Sequence, residues 1–505
     1  MIKVAVIGAG SVGFTRGVVR DLLSVREFRD NLEINFTDIS QRNLSMVYQL
    51  VKRDMAANSV KSTLRATLNR REALRNARYV LCFVRVGGLE AFQLDVDIPL
   101  KYGVDQCVGD TLCAGGIMYA QRSIPVLLDF CRDIREVAAP DCLFLSHVNP
   151  MAMNTWACNQ YGQGVRVIGL CHGVEGGHRI IADALGLPVN EVDIICAGIN
   201  HQTWYIQIRH KGRDLTRELL PALERHPVYR RTEKVRIDML RRFGYFSTES
   251  NGHLSEYVPW YRKRLREIRR WIDTSSWING ETGGYLRVCL EGRNWFETDF
   301  PRWLKDAPWK YGPEHRGTEH TSYIIEALET GRRYRGHFNV VNHGCIPNLP
   351  PDAIVEVPGY VDGNGLSIPR VGPLPHGCAA VCNASISVQR LAVEAAVHGD
   401  DTLLRQAMMM DPLTGAVCNP PEIWQLTDEM LVAQARWLPQ YRRAIAAARA
   451  RLRRGPRLPT RQGFRGAARL RVRTPAELAR EADRARARVL AADKAEMDRK
   501  QHRRA

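Results

Sequence analysis

The chain has 505 residues, of which 45% are hydrophobic and 25% charged, and its formal net charge at pH 7 is +18. This length is sufficient for two domains, each with its own core. The sequence contains no uncharged apolar run of eighteen residues and no signal-peptide pattern, so we expect a cytoplasmic protein and no membrane span.

The positive charge is concentrated at the C-terminus. Residues 441–505 contain 21 of the 72 basic residues and 6 of the 54 acidic ones, so residues 1–440 carry a formal charge of only +3. A basic arm can bind the phosphates of nucleic acids. Here, however, the arginines alternate with alanines and acids rather than with aromatic residues, which is more typical of a solvated helix. We therefore predict a basic helical C-terminal extension and do not expect a nucleic-acid partner.

Thirteen cysteines are scattered along the chain, and none of them forms a CxxC pair. An odd number of dispersed cysteines favours reduced thiols over a disulfide framework or a structural zinc site. This pattern agrees with the expected cytoplasmic location.

Residues 1–195 alternate short apolar runs, rich in β-branched residues, with helix-like stretches. The runs are VAVIGAG, EINFTDIS, YVLCFVRVGG, CLFLSHVNP, VRVIGLCHG and VDIICAGINH. The alternation predicts an α/β fold, with an N-terminal Rossmann-type, doubly wound parallel sheet. Residues 196–440 mix arginine-rich helical stretches with extended segments near 336–376, and we predict a second, α+β domain there for substrate binding and oligomerisation.

A GxGxxG motif follows the first predicted strand and opens a helix. Its glycines allow a tight turn and close approach of a pyrophosphate, whose charge lies at the helix N-terminus. Asp38 ends the next apolar run, where its carboxylate can accept hydrogen bonds from a ribose 2′-hydroxyl, which favours NAD over NADP. The loop residues are Gly8, Gly10, Ser11, Val12 and Gly13.

Polar residues follow several of the later apolar runs, among them Asn149, Cys171 and His201. Because ligands bind outside the carboxyl ends of parallel strands, we expect these turns to meet. Cys171 and His201 together form a plausible metal pair that stays open to substrate oxygens, since two ligands are too few for a structural zinc site. Taken separately, a cysteine such as Cys171 is more typical of a small buried hydrophobic residue, and a histidine at a strand end such as His201 is more often a hydrogen-bonded polar group.

Over about residues 1–440 the chain resembles the family 4 glycoside hydrolases, which are NAD- and divalent-metal-dependent glycosidases. It is most similar to their α-galactosidase branch, and the resemblance implies a fold of the lactate/malate dehydrogenase-like superfamily. The motifs that carry the resemblance are VGGLEAFQLDVDIPLKYG, GDTLCAGGIMYAQRSIP, NPMAMNTWA, GLCHGVEGG, GINH, GYFSTESNGHLSEYVPW, NLPPDAIVEVPGYVDGNG and GPLP.

The resemblance implies roles for particular residues. Cys171 and His201 would hold a divalent metal, usually Mn²⁺, and Asn149 would contact the sugar near its C2 and C3 oxygens. The position after the metal cysteine carries a general acid in the family, and here it is His172. Some relatives use a tyrosine as the base, which makes Tyr257 the candidate, with Glu249 as its rival.

The mechanism implied by the resemblance is an oxidation followed by an elimination. NAD⁺ takes hydride from C3, a base removes the acidified C2 proton, and the C1 substituent leaves with acid assistance. Water then adds back, and the reduced cofactor returns its hydride. The family also implies a homodimer or homotetramer.

The substrate branch depends on Phe92. Members that act on 6-phosphoglycosides resemble GGLEAR where this chain reads GGLEAF, so an arginine suited to a phosphate is replaced. We therefore expect unphosphorylated α-galactosides, with α-glucosides or α-uronides as alternatives within the family.

Two more distant readings stay open. A 2-hydroxy acid dehydrogenase would share the fold and the nucleotide loop, but the only HGD sequence, at 398–400, ends a helix-like run. A non-catalytic NAD sensor with a nucleic-acid-binding arm is supported only by residues 441–505.

Overall fold

The computed structural model describes residues 1–273, 276–460, 473–474, 476–480 and 483, apart from the side chains of 293–298. The strands of this described part join one sheet in the order β10-β8-β7-β12-β11-β6-β5-β4-β1-β2-β3, with β9 beside β8 and β13 beside β12. The sheet is therefore continuous across the predicted domain boundary at residues 195–196.

The first part of the chain builds six parallel strands with helices between them. Its elements are β1 (Ile2–Ile7), α1 (Val12–Leu23), β2 (Leu32–Thr37), α2 (Gln41–Ala57), β3 (Thr63–Thr67), α3 (Arg70–Leu74), β4 (Tyr79–Cys82), α4 (Gly88–Lys101), α5 (Cys113–Val137), β5 (Leu143–Ser146), α6 (Met151–Tyr161), β6 (Arg166–Gly169) and α7 (Gly173–Leu185).

The parallel strands have the order β3-β2-β1-β4-β5-β6, which is the doubly wound order of dinucleotide-binding sheets. β1, β2, β4 and β5 are buried on both faces, as their continuous apolar sequences predict. The Rossmann-type prediction is confirmed. β3 was not expected from the sequence, because TLRAT is a half-exposed edge strand without an apolar run.

The second part of the chain extends this sheet with antiparallel strands and adds helices. Its elements are β7 (Val192–Ile199), β8 (Gln202–His210), β9 (Arg213–Asp214), α8 (Leu219–Arg225), α9 (Tyr229–Thr232), α10 (Lys234–Phe243), β10 (Phe246–Ser247), α11 (Asn251–Glu256), α12 (Leu265–Trp271), α13 (Gly284–Trp303), α14 (His320–Thr330), β11 (Tyr334–Val341), β12 (Ile354–Asp362) and β13 (Gly365–Ser367).

The position of β7 differs from the expected parallel arrangement. The run VDIICAGI forms a strand, but it pairs antiparallel with β8 and with β12, not with the parallel strands. Its apolar sequence reflects burial in the centre of the sheet, and burial alone does not reveal strand direction. Three successive antiparallel pairings, β6 with β11, β11 with β12 and β12 with β7, make β7 run opposite to β6.

The hairpin β11–β12 brings the ends of β6 and β7 together. β6 pairs with β11 only at Gly169–Asn339, and β12 pairs with β7 only at Glu356–Gly198, while Asn339 pairs with Glu356 in the hairpin. These four residues form one row across the sheet. Since β6 and β7 approach the row from opposite sides, their carboxyl ends meet there. The turns that follow them carry Cys171 and His201.

The last described helices form a layer against the first part of the chain. They are α15 (His376–His398), α16 (Asp401–Met410), α17 (Pro412–Val417), α18 (Pro420–Ala433) and α19 (Arg442–Arg454). α15 packs on α5 and α6, and α18 packs on α4. α19 packs on α18 through Ile445 and Ala448, and Arg451 pairs with Asp428 at 2.8 Å.

The predicted extension 441–505 therefore begins with a packed helix. Most of its remaining residues lie outside the described part of the chain. No helix among the described residues combines the length and the apolar character needed to cross a membrane.

Candidate active site

The glycine loop lies between β1 and α1, at the carboxyl end of β1. Gly8 has φ +83°, and a Cβ there would lie 2.8 Å from the carbonyl oxygen of Phe83 in the turn after β4. A Cβ at Gly10 would lie 2.8 Å from Asp38 Oδ2. At Gly13 an added Cβ would meet no other described atom within 4 Å. The loop itself thus requires Gly8 and Gly10, whereas Gly13 leaves open space next to the loop.

Asp38 lies at the end of β2 and holds the glycine loop. The backbone N–H of Gly10 donates to Asp38 Oδ2 and that of Ser40 donates to Oδ1, both at 2.8 Å. This contact with the loop was not expected from the sequence. Each carboxylate oxygen keeps a second lone pair, so a ribose hydroxyl can still bind Asp38.

The N-terminus of α1 fits a pyrophosphate. Ser11 is the N-cap residue, but among the described residues its side chain caps no backbone group, and the first turn contains no acid. Helix N-termini without such partners offer backbone N–H groups and a partial positive charge to an anion. Together with the space beside Gly13, this geometry fits the NAD predicted from the loop.

Cys171, His201 and Glu249 form a cluster at the meeting point of β6 and β7. Cys171 Sγ lies 3.3 Å from His201 Nε2, and Glu249 Oε1 lies 3.8 Å from His201 Nε2 and 3.9 Å from Cys171 Sγ. All three ligand atoms fall within 4.8 Å of one another. The structure thus brings together the predicted pair and adds Glu249 as a third donor, from the segment between β10 and α11.

The electrostatics of this cluster fit a divalent cation. Burial lowers the pKa of His201 to about 4, so its imidazole is neutral and able to act as a ligand at neutral pH. Burial, reinforced by the carboxylates of Glu356 and Glu249, raises the pKa of the Cys171 thiol well above its usual range. A bound cation would reverse this effect and favour the thiolate. A thiol, an imidazole and a carboxylate at these distances are a reasonable donor set for a divalent metal.

Glu356 lies beneath the cluster, in the row where β12 meets β7. Its side chain is buried, Asn200 Nδ2 donates to its Oε2 at 3.3 Å, and burial raises the pKa of this carboxyl to about 8. Glu356 is therefore mostly protonated at neutral pH.

The far nitrogen of His201 faces two hydroxyl groups. Nδ1 lies 3.1 Å from Thr111 Oγ1 and 3.3 Å from the Tyr257 hydroxyl. These contacts on Nδ1 leave Nε2 for the cluster, the arrangement that orients metal-bound histidines in proteins. Tyr257 has no exposed surface, and burial raises its pKa well above the usual value. In this position Tyr257 contacts the candidate metal ligand directly.

Asn149 lies in a chain of polar contacts beside the cluster. Its Nδ2 donates to Asp110 Oδ1 at 3.3 Å, and Arg85 pairs with Asp110 Oδ2 at 3.1 Å. Thr111 donates to the same Asp110 through its hydroxyl at 3.1 Å and so connects this chain to His201. Asp110, Thr111 and Arg85 were not predicted as site residues, although Asp110 and Thr111 lie in a motif that carries the resemblance and Arg85 directly precedes another.

His172 is the N-cap residue of α7, and 60% of its side chain is exposed. It is thus next to the metal cluster in sequence and open to a substrate. His253, in the motif HLSEYVPW, was also missed by the sequence analysis. Its ring centroid lies 5.0 Å from that of His201, and its Nδ1 lies 3.6 Å from Glu249 Oε2.

Glu256, the other carboxylate of the HLSEYVPW segment, has a structural position. It is fully buried and accepts hydrogen bonds from the backbone N–H groups of Cys107, Val108 and Gly109, at 2.5, 3.0 and 3.1 Å. Glu256 thereby fixes the loop that leads into Asp110.

Phe92 is buried in α4, and the guanidinium of Arg85 lies 4.4 Å from its ring centroid. Phe92 therefore supports the arginine that pairs with Asp110. Asp110 already neutralises the charge of Arg85, and Phe92 itself carries no charge for a phosphate. The position of Phe92 therefore agrees with a site for an uncharged sugar.

Comparison with known proteins supports the family directly. The model of the family 4 glycosyl hydrolases matches residues 3–187, and that of the family 4 glycosyl hydrolase C-terminal domain matches residues 196–414. An α-galactosidase of Rhizobium meliloti is 56% identical over 96% of this chain and 99% of its own length. An α-galactosidase of Bacillus subtilis is 33% identical over 88% of this chain and 100% of its own length.

A solved structure has the same fold. A 6-phospho-α-glucosidase from gut microorganisms, in complex with NAD and glucose-6-phosphate, superposes with a TM-score of 0.74. It is 25% identical and covers 87% of this chain, which covers 99% of that protein. The match of both family models, in the order in which the two parts of the sheet occur, confirms the resemblance seen in the motifs. The chain belongs to the family 4 glycosyl hydrolases.

Proposed function

We propose that the protein is an NAD- and divalent-metal-dependent α-galactosidase acting on unphosphorylated α-galactosides. The observation that carries the proposal is the cluster of Cys171, His201 and Glu249, located on the same edge of the sheet as the glycine loop. A metal donor set and a nucleotide loop on one edge suit a hydrolase that oxidises its substrate during turnover. Two relatives named α-galactosidase, one of them 56% identical, support the sugar.

The nucleotide site would be formed by the loop Gly8–Gly13 and Asp38, and the metal site by Cys171 and His201 with Glu249. When bound, NAD⁺ supplies a hydride acceptor and a divalent cation such as Mn²⁺ supplies charge stabilisation for sugar oxygens. Asn149, oriented by Asp110, donates to the sugar near its C2 and C3 oxygens.

His172 acts as the general acid, protonating the oxygen that leaves C1. Its exposed ring follows directly after the candidate metal ligand Cys171, which supports this role. The leaving group then departs as a neutral alcohol.

Tyr257 is proposed as the base that removes the C2 proton, with Glu249 as the rival. The Tyr257 hydroxyl contacts His201, so a positive charge at the cluster would favour its ionisation. Glu249 stays the rival because its side chain is 16% exposed, whereas Tyr257 has no exposed surface. Replacing each group separately, as Tyr257→Phe and Glu249→Gln, and measuring the release of C2 tritium from labelled substrate identifies the base. Loss of tritium release with NADH and metal binding retained marks the proton acceptor.

A panel of substrates tests the function. The purified protein, with NAD⁺, Mn²⁺ and a thiol reductant, is assayed on nitrophenyl α-galactoside, α-glucoside, α-galacturonide, β-galactoside and α-galactoside 6-phosphate. We expect the largest kcat/KM on the unphosphorylated α-galactoside. A larger value for the 6-phosphate would overturn the interpretation of Phe92, and a larger value for the glucoside or uronide would move the protein to another branch.

We further propose a cytoplasmic homodimer or homotetramer. The thirteen cysteines form no disulfide among the described residues, which supports a reducing compartment. Light scattering during gel filtration measures the assembly, and a monomer at working concentration would contradict this part of the proposal.

A further inference from the structure

Three consecutive residues at the start of α14 reach the edge of the sheet that carries the site. Glu319 Oε1 lies 3.4 Å from His172 Nδ1. His320 Nε2 lies 3.0 Å from the carbonyl oxygen of Cys171, and Thr321 Oγ1 lies 2.8 Å from His147 Nε2. The turn after β6 and the turn after β5 are thus both held by one short segment from a distant part of the chain.

The position of this segment is fixed by buried contacts. His320 is 1% exposed, and both of its ring nitrogens are engaged, since Nδ1 lies 2.5 Å from the Tyr334 hydroxyl. Thr321 is fully buried. Because the two residues that follow Glu319 are immobilised in this way, the fold fixes the backbone of Glu319 close to His172.

The carboxylate of Glu319 is placed to hold a donor. Its side chain is 28% exposed, against 60% for His172, and its Oε2 is buried without a hydrogen-bond partner among the described atoms. A partly buried carboxylate with an unpartnered oxygen favours N–H groups close to it. His172 Nδ1, 3.4 Å from the other oxygen, Oε1, is such a group.

We propose that Glu319 is a positioning residue that holds His172 by Nδ1 and directs Nε2 to the leaving oxygen of the substrate. This inference rests on the proposed role of His172 as general acid. A carboxylate on one imidazole nitrogen fixes the tautomer and the orientation of the ring. His172 then gives its Nε2 proton to the oxygen on C1, and the C1–O bond breaks to release an alcohol. The electron pair left by removal of the C2 proton forms a double bond between C1 and C2, and the imidazole keeps its Nδ1 proton hydrogen-bonded to Glu319.

The test uses α-galactosides that differ only in their leaving group. A nitrophenolate leaves without protonation, whereas an alkoxide needs a proton, so loss of acid positioning affects the two classes unequally. For Glu319→Gln we expect kcat/KM on methyl α-galactoside to fall by about 10- to 100-fold, the usual effect of a lost orienting contact. On nitrophenyl α-galactoside we expect a fall of less than about threefold.

Glu314→Gln is the matched control. Glu314 is an exposed glutamate in the same connection before α14, and it pairs at 3.3 Å with the half-buried His315. We expect its kinetics to equal those of the unmodified protein on both substrates. His172→Gln is the reference, and we expect its kcat/KM to fall more on methyl α-galactoside than on nitrophenyl α-galactoside. The double variant His172→Gln with Glu319→Gln should show no larger fall in kcat/KM than His172→Gln alone.

Each outcome has a distinct meaning. Equal rates for Glu319→Gln and the unmodified protein on methyl α-galactoside would overturn the positioning role. Equal losses on both leaving groups, or lost NADH binding by fluorescence, would give Glu319 a structural role and also overturn it. If His172→Gln itself loses no more on the alkyl than on the aryl substrate, the assignment of the general acid in the proposed function fails instead.

Discussion

The nucleotide loop and the metal cluster occupy the same edge of the sheet but are built in different ways. The loop and the carboxylate that holds it come from a single β1–α1–β2 unit, within residues 2–40. The cluster takes one donor from the turn after β6, one from the turn after β7 and one from the segment before α11. A β-hairpin more than 130 residues after His201 completes the sheet between the first two.

This difference separates local from long-range determinants of the site. The nucleotide loop depends on glycines at fixed spacing. Substitutions there are therefore expected to weaken NAD binding and to leave the affinity for the metal unchanged. The cluster depends on the meeting of the carboxyl ends of β6 and β7, which run in opposite directions. Loss of one of its side chains is therefore expected to leave NAD binding unchanged. The following experiments separate the two regions, starting with the largest effect.

The largest effect is expected from removing a proposed metal ligand. Cys171→Ser should lower kcat/KM by about a thousandfold, which corresponds to about 4 kcal/mol of lost transition-state stabilisation. NADH affinity should stay within about twofold of its normal value, because the glycine loop and the cluster have no residue in common. Turnover of nitrophenyl α-galactoside and fluorescence titration of NADH measure both quantities.

Cys345→Ser is the control for this experiment, because Cys345 lies in the turn after β11 and donates to Asn342, away from the cluster. We expect it to keep full turnover. A Cys171→Ser protein with normal kcat/KM at saturating Mn²⁺ would remove Cys171 from the site.

A smaller effect is expected in the nucleotide loop. In Gly10→Ala the new Cβ would lie 2.8 Å from Asp38 Oδ2 and push the carboxylate away from the loop. Overpacking of this kind costs about 1 to 3 kcal/mol, so we expect the Kd for NADH to rise by about 5- to 150-fold. The affinity for Mn²⁺ should not change.

Gly17→Ala is the matched control within α1, since a Cβ at Gly17 meets no described atom within 4 Å. It should bind NADH normally and stabilise the protein by about 1 kcal/mol through helix propensity. Normal NADH affinity in Gly10→Ala would show that the contact with Asp38 does not support nucleotide binding.

The pH dependence of metal binding gives a third effect, confined to the cluster. Because the Cys171 thiol has a raised pKa, it holds a proton at pH 6 to 8 that the metal must displace. His201, with a pKa of about 4, is already neutral and releases none. The affinity for Mn²⁺ should therefore rise about tenfold per pH unit, the slope of one released proton.

Calorimetric titration with Mn²⁺ at pH 6, 7 and 8 measures this slope, and NADH affinity over the same range should be almost constant. A slope of two would mean that a second group, such as Glu356 with its pKa of about 8, also loses a proton. A slope of zero would mean that the thiol is already ionised.

The smallest effect is expected from the C-terminal extension. Deleting residues 461–505 leaves α19 and all the site residues in place, so turnover of nitrophenyl α-galactoside should change by less than about twofold. Retention of the full chain on DNA at physiological salt should be weak and equal to that of the shortened chain. Strong, salt-sensitive retention that disappears on deletion would favour the nucleic-acid-binding alternative.

The extent to which the sequence predicted the site follows the same division. Gly8, Gly10 and Asp38 could be placed from spacing alone, because a βαβ unit is short and its geometry is fixed by local chemistry. Cys171 and His201 were predicted as a pair on the assumption of a parallel sheet, yet β7 runs opposite to β6. The pair still meets, because the hairpin β11–β12 brings the two strand ends into one row.

The remaining contacts of the cluster could not be read from local sequence. Glu249 follows a two-residue strand, β10, which carries no periodic signal. Glu319 and His320 lie nearly 150 residues from the turn after β6, and Thr321 lies 174 residues from His147 in the turn after β5. All three are in a segment outside the quoted motifs. These residues come together only through tertiary packing. A single sequence contains no regular spacing that would predict such contacts.

The exchange of the C2 proton during turnover tests the proposed chemistry most directly. A C2–H bond in an ordinary sugar does not exchange, whereas removal of that proton beside an oxidised C3 makes exchange obligatory. Turnover of an α-galactoside in D₂O, followed by NMR of the released galactose, should show deuterium at C2. Galactose with only protium at C2, released at an undiminished rate, would contradict the account and indicate direct displacement at C1.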